Sequence, residues 1–138
     1  MKKQENFLFK DIIIILFIIL IFVAVILVTY TEIIKNNDIR SAKNNFFFVK
    51  EEIFKSVNEC KEKSNNWFFG GLCSQIPRKV NVSEYFNTSK KLINPHDGSN
   101  GIEGSPGSVL IQLEKNKFIL SIDIDANGGI DIQQTINY

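Results

Sequence analysis

One uninterrupted apolar run dominates the N-terminal part of the chain. Every side chain from Ile12 to Val28 is apolar, and no charged residue lies between Asp11 and Glu32. A helix rises about 1.5 Å per residue, so about 20 residues cross the hydrocarbon core of a bilayer. A helix buried in a protein core usually carries a polar stripe, which this run lacks. The run therefore predicts a membrane-spanning helix.

A cleaved secretory signal is the alternative interpretation of this run. Such a signal has an apolar region of about 7–15 residues that ends in small side chains. The run here is longer and is followed by Val28, Thr29 and Tyr30. We therefore expect the apolar segment to be retained.

After the span, apolar residues recur at the period of an amphipathic helix. They are separated by three or four positions, as in a single buried stripe. These positions are Ile39, Ala42, Phe46, Val49, Ile53, Val57 and Cys60. No proline or glycine precedes Gly70. We predict one helix from near Phe7 to near Lys63, in which Asn36-Asn37-Asp38 is the one weak link, where a kink or a break is the alternative.

The C-terminal part alternates apolar and polar residues, which is the period of β-strands. The alternation predicts strands at 108–113 and 118–124, and a third from Ile130 to Ile136. Turn residues at Lys115-Asn116 and Asp125–Gly129 separate them. The predicted fold class is α+β: a long N-terminal helix, membrane-spanning in its first half and amphipathic in its second, packed on a small C-terminal antiparallel β-meander.

These patterns divide the 138 residues into five segments. The segments are a basic leader or cytoplasmic tail at 1–6, a transmembrane helix at 7–31, an amphipathic helix continuing the span at 32–63, a variable loop region with a disulfide at 64–107, and a three-stranded antiparallel sheet at 108–138. Within the loop region, Val80–Phe86 fits either a strand or a helical turn.

Two cysteines, Cys60 and Cys73, lie outside the span. A pair close in sequence on a membrane-anchored domain favours a disulfide in an oxidising compartment. Two free thiols in a reducing cytosol are the alternative. The cysteine pair and the short N-terminal tail both favour a cytoplasmic N-terminus with the domain outside.

Charge and motif content narrow the function. The chain carries 16 Lys and Arg against 15 Asp and Glu, so it lacks the basic footprint of a nucleic-acid-binding protein. Its one histidine, His96, lies in a turn and is expected to be solvent-exposed. Nucleophile-elbow and phosphate-loop motifs are absent from the sequence. We expect no catalytic residues and no enzymatic activity.

One acidic turn matches the first half of a calcium-binding loop. Asp123, Asp125 and Asn127 place oxygen ligands on alternate residues, a glycine follows for the bend, and Asp131 follows in a suitable place. The usual terminal glutamate is replaced by Gln134. A polar hairpin turn is the alternative interpretation of these residues. Calcium is the one cofactor that the sequence suggests.

With these features in place, the chain resembles a bacterial type IV pilin or type II secretion pseudopilin. That family has a short basic leader, a cleavage site, a phenylalanine, an acidic residue five positions into the mature chain and a long apolar helix. The resemblance implies cleavage between Asn6 and Phe7 with N-methylation of Phe7. It implies that Asp11 pairs with the N-terminal amine of a neighbouring subunit. Some pseudopilins also carry calcium near their C-terminus.

The resemblance implies a structural subunit of a pilus or pseudopilus-like filament. Its partners would be further copies of itself, other pilins, a prepilin peptidase, an inner-membrane assembly platform and the membrane. It would cross the inner membrane once and reach the cell surface or the periplasm when assembled. Asn6 replaces the usual glycine and Lys10 an apolar residue. These departures leave open an alternative, a single-pass anchored protein with a small extracytoplasmic binding or scaffold domain.

Overall fold

The computed structural model describes residues 2–62 and 65–138, with side chains from Phe9 onward. Helix α1 spans Lys2–Glu62. A short helix α2, Lys79–Glu84, is followed by a π-helical segment at Tyr85–Ser89. Strands β1 (Val109–Glu114), β2 (Lys117–Ile122) and β3 (Ile132–Asn137) form one antiparallel sheet in the order β1-β2-β3. The α+β prediction is confirmed.

The chain divides into two compact units, residues 1–36 and 37–138. In the first unit, the side chains of the apolar run have no core to enter. Leu20, for example, is 68% exposed and Ile18 is 47% exposed. From Phe9 onward the helix is long and apolar enough to cross a membrane. Where the run ends, the hydroxyls of Thr29 and Thr31 donate to carbonyls of the preceding turn, which satisfies them within the helix.

The second unit is organised by the predicted amphipathic stripe of α1. Five of its members are fully or almost fully buried: Ala42, Phe46, Val49, Ile53 and Val57. They share one hydrophobic core with the inner face of the sheet, to which β1 and β2 contribute Val109, Ile111, Phe118, Leu120 and Ile122. The register pairs Ile111 with Leu120 and Phe118 with Ile136, so these core side chains lie on the same face.

Helix α1 is one continuous helix through Asn36-Asn37-Asp38, so the chain has no break there. The expected start of the third strand is wrong. Ile130 is 62% exposed in the loop before β3, and the ladder begins only where Ile132 pairs with Ile122. Positive φ angles at Ala126 and Gly128 bend the loop, which delays the return of extended backbone.

The loop after α1 folds back onto the helix through aromatic packing. Trp67 is buried, stacks on Phe69 with ring centroids 5.7 Å apart, and meets Phe118 edge-on at 5.9 Å. The backbone N–H of Phe68 donates to the buried hydroxyl of Ser56, 3.0 Å away. This bond satisfies the hydroxyl of Ser56, a polar side chain of α1 that is fully buried next to the stripe.

The disulfide between Cys60 and Cys73 is confirmed. It joins the last turn of α1 to the loop, across a sequence separation of 13 residues. Cross-linking a loop of this size stabilises a fold by about 3 kcal/mol in the chain-entropy model. The bond therefore holds the aromatic cluster around Trp67 against the helix.

Replacing both cysteines with serine should lower the free energy of unfolding by about 3 kcal/mol. The measurement is urea denaturation of the full chain in detergent, followed by the fluorescence of Trp67, the only tryptophan. Wild-type protein treated with a reductant is the matched control and should give the same midpoint as the variant. An unchanged midpoint in both samples would contradict a stabilising role for the bond.

Candidate functional site

The residues predicted to take part in assembly lie near the start of α1. Asn6 and Phe7 belong to the helix, but their side chains lie outside the described residues. Asp11 is exposed and precedes the apolar run directly. Among the described side chains, no Lys or Arg forms an ion pair with Asp11. Among those side chains, its carboxylate is thus a charge without an ion-pair partner, and it lies at the edge of an apolar surface.

The acidic loop, residues 123–131, connects β2 to β3. Asp123, Asp125 and Asp131 each place a carboxylate oxygen within 4.8 Å of the others. Backbone donors hold this arrangement: the N–H of Asn127 lies 3.1 Å from Asp123 Oδ1, and the N–H of Ile124 lies 2.7 Å from Asp131 Oδ2. The loop therefore gathers three carboxylates at one point.

This geometry fits a calcium ion in one respect. Calcium binds oxygen at about 2.3–2.6 Å, so two ligands on opposite sides of the ion lie up to about 5 Å apart. The three carboxylates satisfy that limit. The fourth predicted ligand does not join them directly, because Asn127 Oδ1 accepts the N–H of Gly129 and its Nδ2 donates to Asp125. Calcium binding by this loop stays a prediction.

His96 is not the exposed turn residue that the sequence suggested. It is half-buried, and its Nε2 lies 2.8 Å from the carbonyl oxygen of Ile124 in the acidic loop. Since a carbonyl only accepts, Nε2 carries the proton and donates. His96 therefore ties the loop at 94–107 to the acidic loop. Sequence spacing gave no signal for this contact, because the two residues are 28 positions apart.

The loop that carries His96 is held by the buried side chain of Asn94. Its amide donates to the Pro106 carbonyl at 3.0 Å and accepts the N–H of His96 at 3.0 Å. Gly107 has a φ of +97°, and a Cβ there would collide with the His96 ring. Hydrogen bonds from Ser105 and Ser99 lower the pKa of Asp97 in the same loop. These contacts hold the conformation of the loop at 94–107, and through His96 they position the acidic loop.

A second polar junction joins α1 to the helical segment at 79–89. Glu52 Oε2 accepts the Tyr85 hydroxyl at 2.8 Å and pairs with Lys90 Nζ at 3.2 Å. Partial burial raises the pKa of Glu52, but the hydrogen bond from Tyr85 and the charge of Lys90 outweigh it and lower that pKa overall. Burial and the bond to Glu52 raise the pKa of Tyr85. The junction thus favours an ionised Glu52.

Comparisons with known proteins add no assignment to these features. No protein-family model, curated protein or solved structure matches the chain. The structure by itself has a pilin-like architecture, in the sense that a long apolar N-terminal helix carries a small antiparallel sheet. That architecture is compatible with a membrane-anchored or pilin-like protein.

The lowered pKa of Glu52 makes part of the stability pH-dependent. The folded state holds the carboxylate more strongly than the unfolded chain, whose glutamate pKa is about 4.3. The contribution is therefore complete above that value and is lost as pH falls through the lower folded pKa. We expect Glu52→Gln to lower the free energy of unfolding by about 1–2 kcal/mol at pH 7 and by less at pH 3.

Urea unfolding between pH 3 and pH 7 measures this effect. Glu51→Gln is the matched control, since Glu51 is exposed on the same helix and forms no ion pair among the described residues. If Glu52→Gln lowered the free energy of unfolding equally at pH 3 and at pH 7, the ion pair and the hydrogen bond of the ionised carboxylate would not account for the loss.

Calcium should stabilise the wild-type chain if the acidic loop binds it. At a concentration 100 times the dissociation constant, a ligand stabilises the folded state by about 2.7 kcal/mol. Asp125→Asn should reduce the calcium-induced rise in unfolding midpoint, and Glu59→Gln, on the exposed side of α1, should leave it intact. A wild-type midpoint that is the same in calcium and in a chelator would favour the polar hairpin turn.

Proposed function

We propose that this chain is a structural subunit of a type IV pilus or pseudopilus-like filament. The observation that carries the proposal is the division of α1: its apolar run is exposed to about half or more of each side chain, whereas its later stripe is buried in a sheet domain. A single helix thus supplies both an assembly surface and the core of a folded domain.

The exposed apolar run needs a partner that removes its side chains from water, because leaving them exposed to water is costly in free energy. Burying a Leu, Ile or Phe side chain is worth about 1.5–3 kcal/mol, and the run between Ile12 and Val28 consists almost entirely of large apolar residues. Lipid surrounds this surface before assembly. In a filament, the helices of neighbouring copies replace the lipid and form an apolar core.

Asp11 has a specific role in this proposal. A carboxylate at the edge of an apolar core is costly when it is unpaired, whereas a paired one selects a single register between helices. The resemblance to pilins supplies the partner, the N-terminal amine of a neighbouring subunit, which cleavage after Asn6 would create at Phe7. Processing would require a prepilin peptidase, and assembly an inner-membrane platform.

Asp11→Ala should leave the sheet domain folded and abolish filament assembly. The measurement is electron microscopy of filaments sheared from cells, with the urea midpoint of the purified protein as the folding readout. Glu32→Ala is the matched control, because it removes the first charge beyond the other end of the run. Wild-type amounts of filament from the Asp11 variant would exclude the pairing role.

A single-pass anchored protein with a small extracytoplasmic binding or scaffold domain is the second candidate. It is favoured by Asn6, which stands where pilins have glycine, and by Lys10, which stands where they have an apolar residue. The two functions differ in the fate of the first six residues. In this alternative the chain keeps them as a cytoplasmic tail.

N-terminal sequencing and intact mass of the protein from its host's envelope separate the candidates. The filament proposal expects a chain that begins at Phe7 and carries one additional methyl group on its amine. The anchored-domain candidate expects a chain that begins at Met1. The latter result would remove the proposed partner of Asp11, since the free amine would no longer lie beside the apolar run.

A further inference from the structure

A second stripe of side chains runs along α1 beside the buried one. Its members are again three or four positions apart, or seven, so they share one face of the helix. Every member is basic or aromatic. We call this stripe the basic-aromatic flank, and it consists of Arg40, Lys43, Phe47, Lys50, Phe54 and Lys61.

The cations of the basic-aromatic flank form no ion pair across residues 2–62 and 65–138. Phe54 is 54% exposed and Phe47 is 38% exposed, and Lys50 Nζ lies 5.9 Å from the Phe47 ring centroid. The flank therefore presents cations and aromatic rings to whatever binds there.

A groove lies between this flank and the free edge of the sheet. Lys50 and Phe54 form one wall, and residues 134–137 of β3 form the other, around a volume of about 480 Å³. Strand β3 is the last strand in the sheet order, so its outer side pairs with no strand in the described part of the chain. The groove can accommodate an apolar side chain next to a carboxylate.

The same chain carries a surface with the complementary properties. In the acidic loop, Ile130 is 62% exposed and adjoins Asp131, which clusters with Asp123 and Asp125. None of these carboxylates forms an ion pair with a Lys or Arg of the described residues. The molecule thus displays an exposed apolar side chain next to a cluster of three carboxylates and, elsewhere, a groove whose wall carries the cation of Lys50 and the ring of Phe54.

We propose that the acidic loop of one copy docks into the groove of the next, with Ile130 against Phe54 and Asp125 or Asp131 facing Lys50. The proposal rests on the filament function proposed above and names the surfaces by which sheet domains would meet. The two surfaces differ, so the contact is heterologous, and such contacts repeat into rings or open helical filaments. Opposite charges would set the register and disfavour wrong pairings.

Charge reversal with rescue tests this contact in the full chain. Lys50→Glu and Asp125→Lys should each reduce filament yield by about tenfold or more, because each places like charges together. The double variant should restore most of the yield, because the pair is re-formed with its signs exchanged. Lys115→Glu is the matched control, an equal change of net charge in the exposed β1–β2 turn. Urea midpoints establish that every variant is folded.

Carbodiimide cross-linking identifies the neighbouring groups directly. It joins a lysine to a carboxylate only when the two are in contact, and a mixture of ¹⁴N- and ¹⁵N-labelled copies distinguishes links between molecules from links within one. The wild type should give a mixed-isotope link from Lys50 to Asp125 or Asp131, and the double variant one from residue 50 to residue 125. A chelator is present, so that the loop keeps its full negative charge.

The outcomes separate this inference from the filament proposal. Filaments that form normally from both single variants, without the mixed-isotope link, would overturn the docking contact and leave the filament function standing. A wild type that forms neither filaments nor the link would overturn both. Loss of binding to DNA or to anionic vesicles by Lys50→Glu, with assembly unchanged, would assign the flank to another partner and overturn the contact between copies.

Discussion

The burial of one helical stripe against the inner face of the sheet is the interaction on which the second unit, residues 37–138, depends. Phe46 and Ile53 of α1 share a core with Phe118 and Leu120 of β2. A three-stranded sheet exposes its apolar face unless another element covers it, and a lone helix is marginal in water without tertiary packing. The helix and the sheet therefore stabilise each other by burying their apolar faces together.

The long connection between α1 and β1 depends on that core for its position and on polar contacts for its shape. It contains little regular structure, so its backbone groups find partners in side chains. The Asn94 side chain bonds to His96 and Pro106, and Ser56 and Glu52 attach the connection to α1. The disulfide adds a covalent tie at Cys60. The hydrogen bond from His96 to the Ile124 carbonyl connects the acidic loop to this network and positions it.

The proposed function follows from an uneven distribution of apolar surface along one helix. Side chains of α1 in the second unit are buried on one stripe only, whereas those of the apolar run remain exposed all around the helix. The first arrangement is sufficient for a stable domain, and the second requires lipid or further helices. The basic-aromatic flank and the acidic loop show a similar division of charge, because the cations of one and the carboxylates of the other form no ion pairs within the described part of the chain.

Periodicity and composition alone predicted the long apolar helix, the amphipathic stripe, the three strands and the pairing of the two cysteines. These features depend on local spacing, since a helix and a strand each bring residues of fixed separation to one face. Turn chemistry also located the acidic loop, and three of its four predicted ligands come together. The path of the connection between α1 and β1 was not readable in this way, because it depends on contacts between residues distant in sequence. The bond from His96 to Ile124 and the groove beside β3 exist only once the core has brought those segments together, because chain spacing carries no information about which surfaces a folded core leaves adjacent.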